Sequence, residues 1–169
     1  MTCFADMPLF GDTRLLVGMD GDRVVFSHIW NLPGEREALI RQERQHFKDL
    51  TERPAEFAPL FDLLGAYRDG RPVDPAGVPV MFSRGTDFQK KVWQTLRKIP
   101  RGARTTYRRL AADAGFPRAQ QAVGQAMARN YLVLFVPCHR VVASDDALGG
   151  FSGGVDNKRM LLEIEKKIL

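Results

Sequence analysis

The chain has 169 residues, of which 44% are hydrophobic and 27% charged, a balance that suits a globular protein of one domain or two small ones. No apolar run approaches the ~18 residues of a membrane span, and the opening Met1-Thr2-Cys3-Phe4-Ala5-Asp6 has no basic stretch leading into an apolar core, so neither a membrane anchor nor a secretory signal is expected. The net charge of +5 is uneven: residues 1–83 carry 9 Lys and Arg against 13 Asp and Glu, whereas residues 84–169 carry 16 against 7. So basic a second half suits a polyanion, most simply nucleic acid, or is a solvated basic face with no partner. The two cysteines, Cys3 and Cys138, lie far apart in different surroundings. That predicts reduced thiols in a cytoplasmic protein rather than a disulfide.

Arg14–Met19 and Arg23–Ile29 are β-rich runs flanking the turn signal Asp20-Gly21-Asp22, which predicts a hairpin. Residues 35 to about 52 carry Ala38, Leu39, Phe47 and Leu50 among charges, which predicts an amphipathic helix. Pro54 ends it or separates it from a second helix over 56–69, with Phe57, Leu60, Phe61, Leu64 and Tyr67 at helical spacing. Residues 68–79 hold three prolines and two glycines and read as loop and linker. Val78–Phe82 reads as a short strand, and a domain boundary is expected near Ser83–Gly85.

Thr86 or Asp87 can cap a helix containing Phe88, Val92, Trp93 and Leu96. Pro100-Arg101-Gly102 breaks it. Thr106 is a candidate cap for a helix over Tyr107–Ala114, and Gly115-Phe116-Pro117 turns the chain. Pro117 suits the start of a further helix from Arg118 to about Ala128. Two short helices about a glycine-containing turn form a helix-turn-helix pattern. In the second, Ala119, Ala122, Gly124, Ala126 and Ala128 are all small, which permits close approach either to the protein's own core or to a DNA groove.

The apolar run Tyr131–Pro137 predicts a buried strand or extended segment ending at Cys138-His139-Arg140. A thiol is a poor nucleophile until it loses its proton, and a neighbouring His or Arg favours the thiolate. The same triplet also fits a small buried cysteine beside a surface pair. Gly149–Gly154 has four glycines in six residues, allowing close approach of a ligand to the backbone or simply a flexible loop. Lys158–Leu169 closes the chain as an amphipathic helix with Met160, Leu161, Ile164 and Ile168 on one side and Glu163 and Glu165 on others.

These segments together resemble one family, the O6-alkylguanine-DNA alkyltransferases, also called methylated-DNA–protein-cysteine methyltransferases. The resemblance is carried by the run from Gly85 to Trp93, by Ile99-Pro100-Arg101-Gly102, and by Thr106-Tyr107-Arg108-Arg109-Leu110-Ala111. Ala122-Val123-Gly124, Asn130, Pro137-Cys138-His139-Arg140-Val141 and the Gly149–Gly154 loop complete it. It covers Thr86 to Glu165 without an evident gap, while the first 83 residues match only loosely. It implies an α+β or α/β fold: a small N-terminal α/β domain of RNase-H-like topology (1–83) and a mainly helical C-terminal domain with a helix-turn-helix (84–169). It implies repair of double-stranded DNA by direct, irreversible, single-turnover transfer of an alkyl group from O6-alkylguanine to Cys138. The protein would be a monomer without a cofactor. The second helix would enter the minor groove, ~6 Å wide, and the damaged base would be flipped into a pocket.

Residue by residue, the resemblance makes His139 the base, acting through a water, and Glu165 the group that orients it; composition alone does not prefer Glu165 to Glu163. Tyr107 would crowd the target phosphate and donate to the departing guanine; read by itself it is a half-buried helix aromatic. Asn130 would brace the reactive turn; read by itself it is a helix C-cap. Arg140 reads as a structural ion-pair partner. The backbones of Val141 and Ser152, with Met127, would wall the guanine pocket, and Thr86, Arg118, Ala119 and Ala122 would meet the DNA. Gln121 stands where the family often has an Arg that fills the gap left by the flipped base, which predicts weaker DNA affinity or slower extrusion. Phe151 stands where a Tyr is common, so stacking is kept and one hydroxyl contact is lost. Some relatives hold a structural zinc, but Cys3, His28 and His46 form no compact ligand set, and no metal is expected. The competing readings are a non-catalytic alkylated-DNA sensor of the same fold, a helix-turn-helix regulator and a cysteine hydrolase. The first lacks the cysteine. The second needs a polar reading helix, and the third usually has its histidine distant from its cysteine.

Overall fold

The computed structural model describes residues 1–143 and 147–166. The chain opens with three antiparallel strands, β1 (Thr2–Phe10), β2 (Thr13–Asp20) and β3 (Arg23–Trp30). The hairpin expected at Asp20-Gly21-Asp22 is β2–β3, paired from Arg14 opposite Trp30 to Asp20 opposite Arg23 with a register shift between Gly18 and Met19. β1 escaped the sequence reading: Met7, Pro8 and Leu9 interrupt the alternation that marks a half-buried strand. It pairs with β2 from Thr2 opposite Asp20 onward. Leu15, Leu16 and Val17 are consecutive and fully buried. Successive side chains point to opposite faces, so both faces of this strand are covered.

The long helix expected over 35–52 is shorter. α1 (Glu35–Arg44) stops where His46 and Phe47 both donate to the Glu43 carbonyl. The turn that follows lets Leu50 reach the core, and Thr51–Glu52 then form β4, parallel to the start of β1. The sheet order is β3-β2-β1-β4. The next helix begins as a 3-10 turn over Pro54–Phe57 before α2 (Ala58–Arg68). Val78–Phe82 is not a strand. It touches the sheet edge at one place, where Val24 donates to Pro79 and Met81 donates to Val24.

α3 (Asp87–Leu96) is capped by Thr86, whose hydroxyl accepts from Gln89 N while the Gln89 side chain accepts from Thr86 N. This reciprocal pair is a capping box. Gly85, just before it, has φ +97, and a Cβ there would lie 2.6 Å from the Trp93 ring. Thr106 caps α4 (Tyr107–Asp113). α5 (Gln120–Ala128) starts two residues later than expected. Pro117 lies in the connecting turn, closed by Ala119 N donating to Phe116 O, and Ala119 is the N-cap. α5 packs against α3, with Trp93 Nε1 donating to Ala126 O at 3.0 Å.

The run 131–137 is not a strand either. Leu134 has φ +79, and Val136 N donates back to Leu132 O at 2.7 Å, so the run folds into a tight buried turn. Its apolar content reflects burial on all sides, which a periodicity argument reads as strand. It is stitched to β3 by Ser27 N donating to Tyr131 O and Ser27 Oγ donating to Val133 O. A two-residue parallel pair follows between β5 (Thr105–Thr106) and β6 (Val141–Val142). α6 (Val155–Lys166) begins three residues before the expected helix, whose last residues, 167–169, lie outside the described residues.

Candidate active site around Cys138

Cys138 opens a single 3-10 turn, Cys138–Arg140, and all three residues are buried. The turn is held from behind by Asn130, two residues past the end of α5 rather than at its cap. The Asn130 amide donates to Val136 O at 2.9 Å and to Cys138 Sγ at 3.0 Å, and its oxygen accepts from Leu132 N at 3.0 Å. One side chain thus pins both ends of the 131–137 turn and supplies a donor to the sulfur. The left-handed Leu134 beside it costs ~1–2 kcal/mol, and such strain persists only where the surroundings over-determine it. Burial pushes the Cys138 thiol up to about 11, with the Asn130 amide and the positive charge of Lys158 pulling it back.

His139 Nε2 meets Glu165 Oε1 at 2.7 Å, with both side chains out of contact with solvent. Glu165 is surrounded by donors. It also accepts from Tyr67 OH at 2.8 Å, from Arg140 through Nη2 (2.8 Å) and Nε (3.1 and 3.2 Å), and from Gly102 N at 3.2 Å. Burial alone would raise its carboxyl, but His139 and Arg140 outweigh that and hold it well below the usual carboxylate range. Burial lowers the His139 imidazole, with Glu165 offsetting part of the effect. An ionised Glu165 can only accept, so His139 carries its proton on Nε2. Nδ1 is then the basic nitrogen, and it is buried without a hydrogen-bond partner among the described residues.

In front of the sulfur lies a pocket of about 250 Å³ lined by Tyr107, Gly124, Met127, Ala128, Cys138, Gly150, Phe151 and Ser152. The Phe151 ring stands edge-on to His139, 6.5 Å between centroids. Tyr107 also borders a shallow surface groove with Arg108, Gln120, Gln121, Gly124 and Ala143, which meets the pocket at Tyr107 and Gly124. The loop side of the pocket is tied down by Lys158 of α6. Its buried ammonium donates to Val141 O at 2.6 Å, to Leu148 O and to Gly150 O at 3.4 Å.

Residues 87–167 match the family described as "6-O-methylguanine DNA methyltransferase, DNA binding domain". The chain is 41% identical over 130 residues to a methylated-DNA–protein-cysteine methyltransferase of Mycobacterium tuberculosis (strain ATCC 25618 / H37Rv), a stretch covering 77% of this chain and 76% of that protein. The chain belongs to the methylated-DNA–protein-cysteine methyltransferase family. A Methanosarcina barkeri protein of the same name is 48% identical over 85 residues, covering 50% of this chain and 54% of that protein. The crystal structure of the Mycobacterium tuberculosis OGT in complex with DNA aligns with a TM-score of 0.78 at 32% identity, covering 98% of this chain and 92% of that one.

Of the residues the family resemblance singled out, Cys138, His139, Asn130 and Glu165 form one contiguous buried cluster, and Tyr107, Met127, Phe151 and Ser152 line the pocket in front of it. Glu163, two residues from Glu165, is exposed and bonds Lys166 at 2.8 Å. Val141 is buried in β6, and its backbone carbonyl accepts from Lys158 beside the pocket. Gln121 and Ala122 are exposed on α5 and Arg118 is exposed just before it, while Thr86 serves the N-terminus of α3. Tyr67, Asp74, Arg101 and Lys158 escaped the sequence reading. Tyr67 has the helical spacing of an ordinary core aromatic. Asp74 sits in a proline-rich stretch that reads as linker, yet it accepts from both Arg140 Nη atoms at 2.8 and 3.1 Å and from Arg101 N at 3.0 Å.

Proposed function

We propose that this protein repairs double-stranded DNA by moving an alkyl group from guanine O6 onto Cys138, once per molecule. Family membership makes it a DNA-repair methyltransferase whose acceptor is a cysteine. The observation that carries the assignment to Cys138 is its sulfur lining a base-sized pocket with the His139–Glu165 pair directly behind it. The Cys138 S–H proton passes by way of a bridging water to His139 Nδ1, which no protein group bonds among the described residues, and Glu165 stabilises the imidazolium through Nε2. The sulfur attacks the alkyl carbon as the carbon–O6 bond breaks. The guanine leaves with the bonding electron pair and takes a proton, with the Tyr107 hydroxyl as donor. Burial raises the Tyr107 phenol, so it holds that proton at neutral pH. The S–C bond of the product thioether has no good leaving group, so the protein is consumed.

The DNA-facing part of the proposal rests on α4 and α5 with their intervening turn, read as a helix-turn-helix whose second helix enters the minor groove. Exposed Ala122 and half-exposed Gly124 leave the α5 backbone near the surface, and exposed Arg108, Arg109 and Arg118 flank it. A narrow groove admits a helix only when its side chains are small, and the arginines match the phosphates on either side. The sheet-bearing first part, read as an RNase-H-like domain ending near Ser83–Gly85, would act as a monomeric unit with the helical part in the cytoplasm. Incubation with a duplex containing O6-methylguanine should add one methyl mass to the Cys138 peptide, and Cys138→Ser should abolish the gain. An unmodified Cys138 in folded protein after prolonged incubation would refute the proposal.

A further inference from the structure

Glu165 Oε1 is shared. His139 Nε2 and Tyr67 OH approach the same oxygen at 2.7 and 2.8 Å, and Arg140 Nη2 reaches it at 2.8 Å. Tyr67 belongs to α2, some seventy residues before the reactive turn, and its side chain is fully buried. The Arg101 guanidinium lies over its ring, 5.2 Å from the centroid, and donates to Val73 O and Ile164 O. Ring and hydroxyl are therefore fixed from both sides. Burial and the charge of Glu165 push the phenol well above its ordinary range, so it stays a donor.

We infer that Tyr67 is a positioning residue for alkyl transfer: its hydroxyl seats Glu165 under His139 and takes up part of the carboxylate's charge, which keeps the imidazole neutral and Nδ1 free to accept a proton. This inference rests on the roles given above to Cys138, His139 and Glu165. A buried carboxylate 2.7 Å from an imidazole favours the imidazolium. A histidine already protonated at neutral pH cannot serve as a base. The charged and titratable groups facing the pair are Arg140, which opposes the imidazolium, Asp74 behind Arg140, which favours it, Arg101 over Tyr67, and Cys138 itself. Tyr67 acts with Arg140: each hydrogen bond to the carboxylate makes it a weaker base toward His139. The first, sheet-bearing part of the chain thereby completes the reactive group through Tyr67 and, by way of Asp74 on Arg140, supports it a second time.

The test separates positioning from mere packing. In a Cys138→Ser background the imidazole titration of His139 is followed by ¹⁵N NMR; in the Cys138 protein, single-turnover methyl transfer from an O6-methylguanine duplex is followed against pH. Tyr67→Phe should raise the His139 titration, and the acid limb of the rate profile with it, by about half a pH unit, roughly a threefold rate loss on that limb. Replacing Tyr67 by 3,5-difluorotyrosine keeps ring and hydroxyl but strengthens the donor, and should move both in the opposite direction. Titrations within about 0.1 unit of the parent in both variants would overturn the inference. Should Tyr67→Phe fail to fold, the difluorotyrosine protein decides alone. The parent protein distinguishes the two levels: no methyl gain on its Cys138 removes the proposed chemistry altogether, whereas a methyl gain with unmoved titrations removes only the role of Tyr67.

Discussion

Glu165→Gln changes one oxygen to an NH₂ group in a site built entirely of donors. Six hydrogen-bond contacts from Tyr67, Gly102, His139 and Arg140 converge on that carboxylate. The new amide must turn N–H against N–H for at least one of them, and the fully buried Arg140 loses its anion. Removing one partner of a buried ion pair costs ~3–5 kcal/mol. Asp74 still pairs with Arg140 but is 30% exposed, so the lower end, ~3 kcal/mol, is expected. For a chain of this size that lowers the melting temperature by ~6–12 °C. The sign of the pH dependence follows from the depressed Glu165 carboxyl. Its contribution is fully present above the unfolded value, ~4.3, and fades as the pH falls toward the folded value. The deficit of Glu165→Gln is therefore largest at neutral pH and shrinks in acid. Glu163→Gln, on the same helix but exposed and bonded to Lys166, should shift stability by less than ~0.5 kcal/mol. Thermal unfolding of the three proteins at neutral and acid pH measures both effects. A neutral-pH loss for Glu165→Gln no larger than that of Glu163→Gln would refute the electrostatic account of the site.

Asn130→Ala strands Leu132 N in the interior, at ~1–3 kcal/mol for the unpaired group, while Val136 O keeps its bond from Cys138 N. It also removes the donor to the sulfur, so denaturant midpoint and single-turnover rate should both fall. Gly85→Ala puts a Cβ at φ +97 and 2.6 Å from the Trp93 ring. It should cost ~1–3 kcal/mol in a denaturant melt. Gln121→Arg adds a cation to the exposed first turn of α5. It should tighten duplex binding and steepen the salt dependence by ~1 in log–log slope, measured by fluorescence anisotropy.

The sequence by itself determined the capped helices and the β2–β3 hairpin and singled out Cys138 as the candidate thiol, because each depends on residues close in the chain. Thr86 or Asp87 before Phe88, Thr106 before Tyr107, Gly21 in its turn and the Pro-Cys-His-Arg run are local statements. The limits of local reading show in the 131–137 segment. Its apolar residues are buried on all sides, so burial left no period, and only the fold decides that they make a turn about Leu134 rather than a strand. β4 was invisible for a related reason: a two-residue strand exists only because a distant strand offers it hydrogen bonds. The same holds for the chemistry. Nothing near Tyr67 or Asp74 in sequence marks them as neighbours of His139 and Arg140. Glu165 differs from Glu163 only in which side of α6 faces the core. Tertiary structure made those distinctions, because a carboxylate acquires its charge state and its partners from whatever packs around it, and those groups come from every part of the chain.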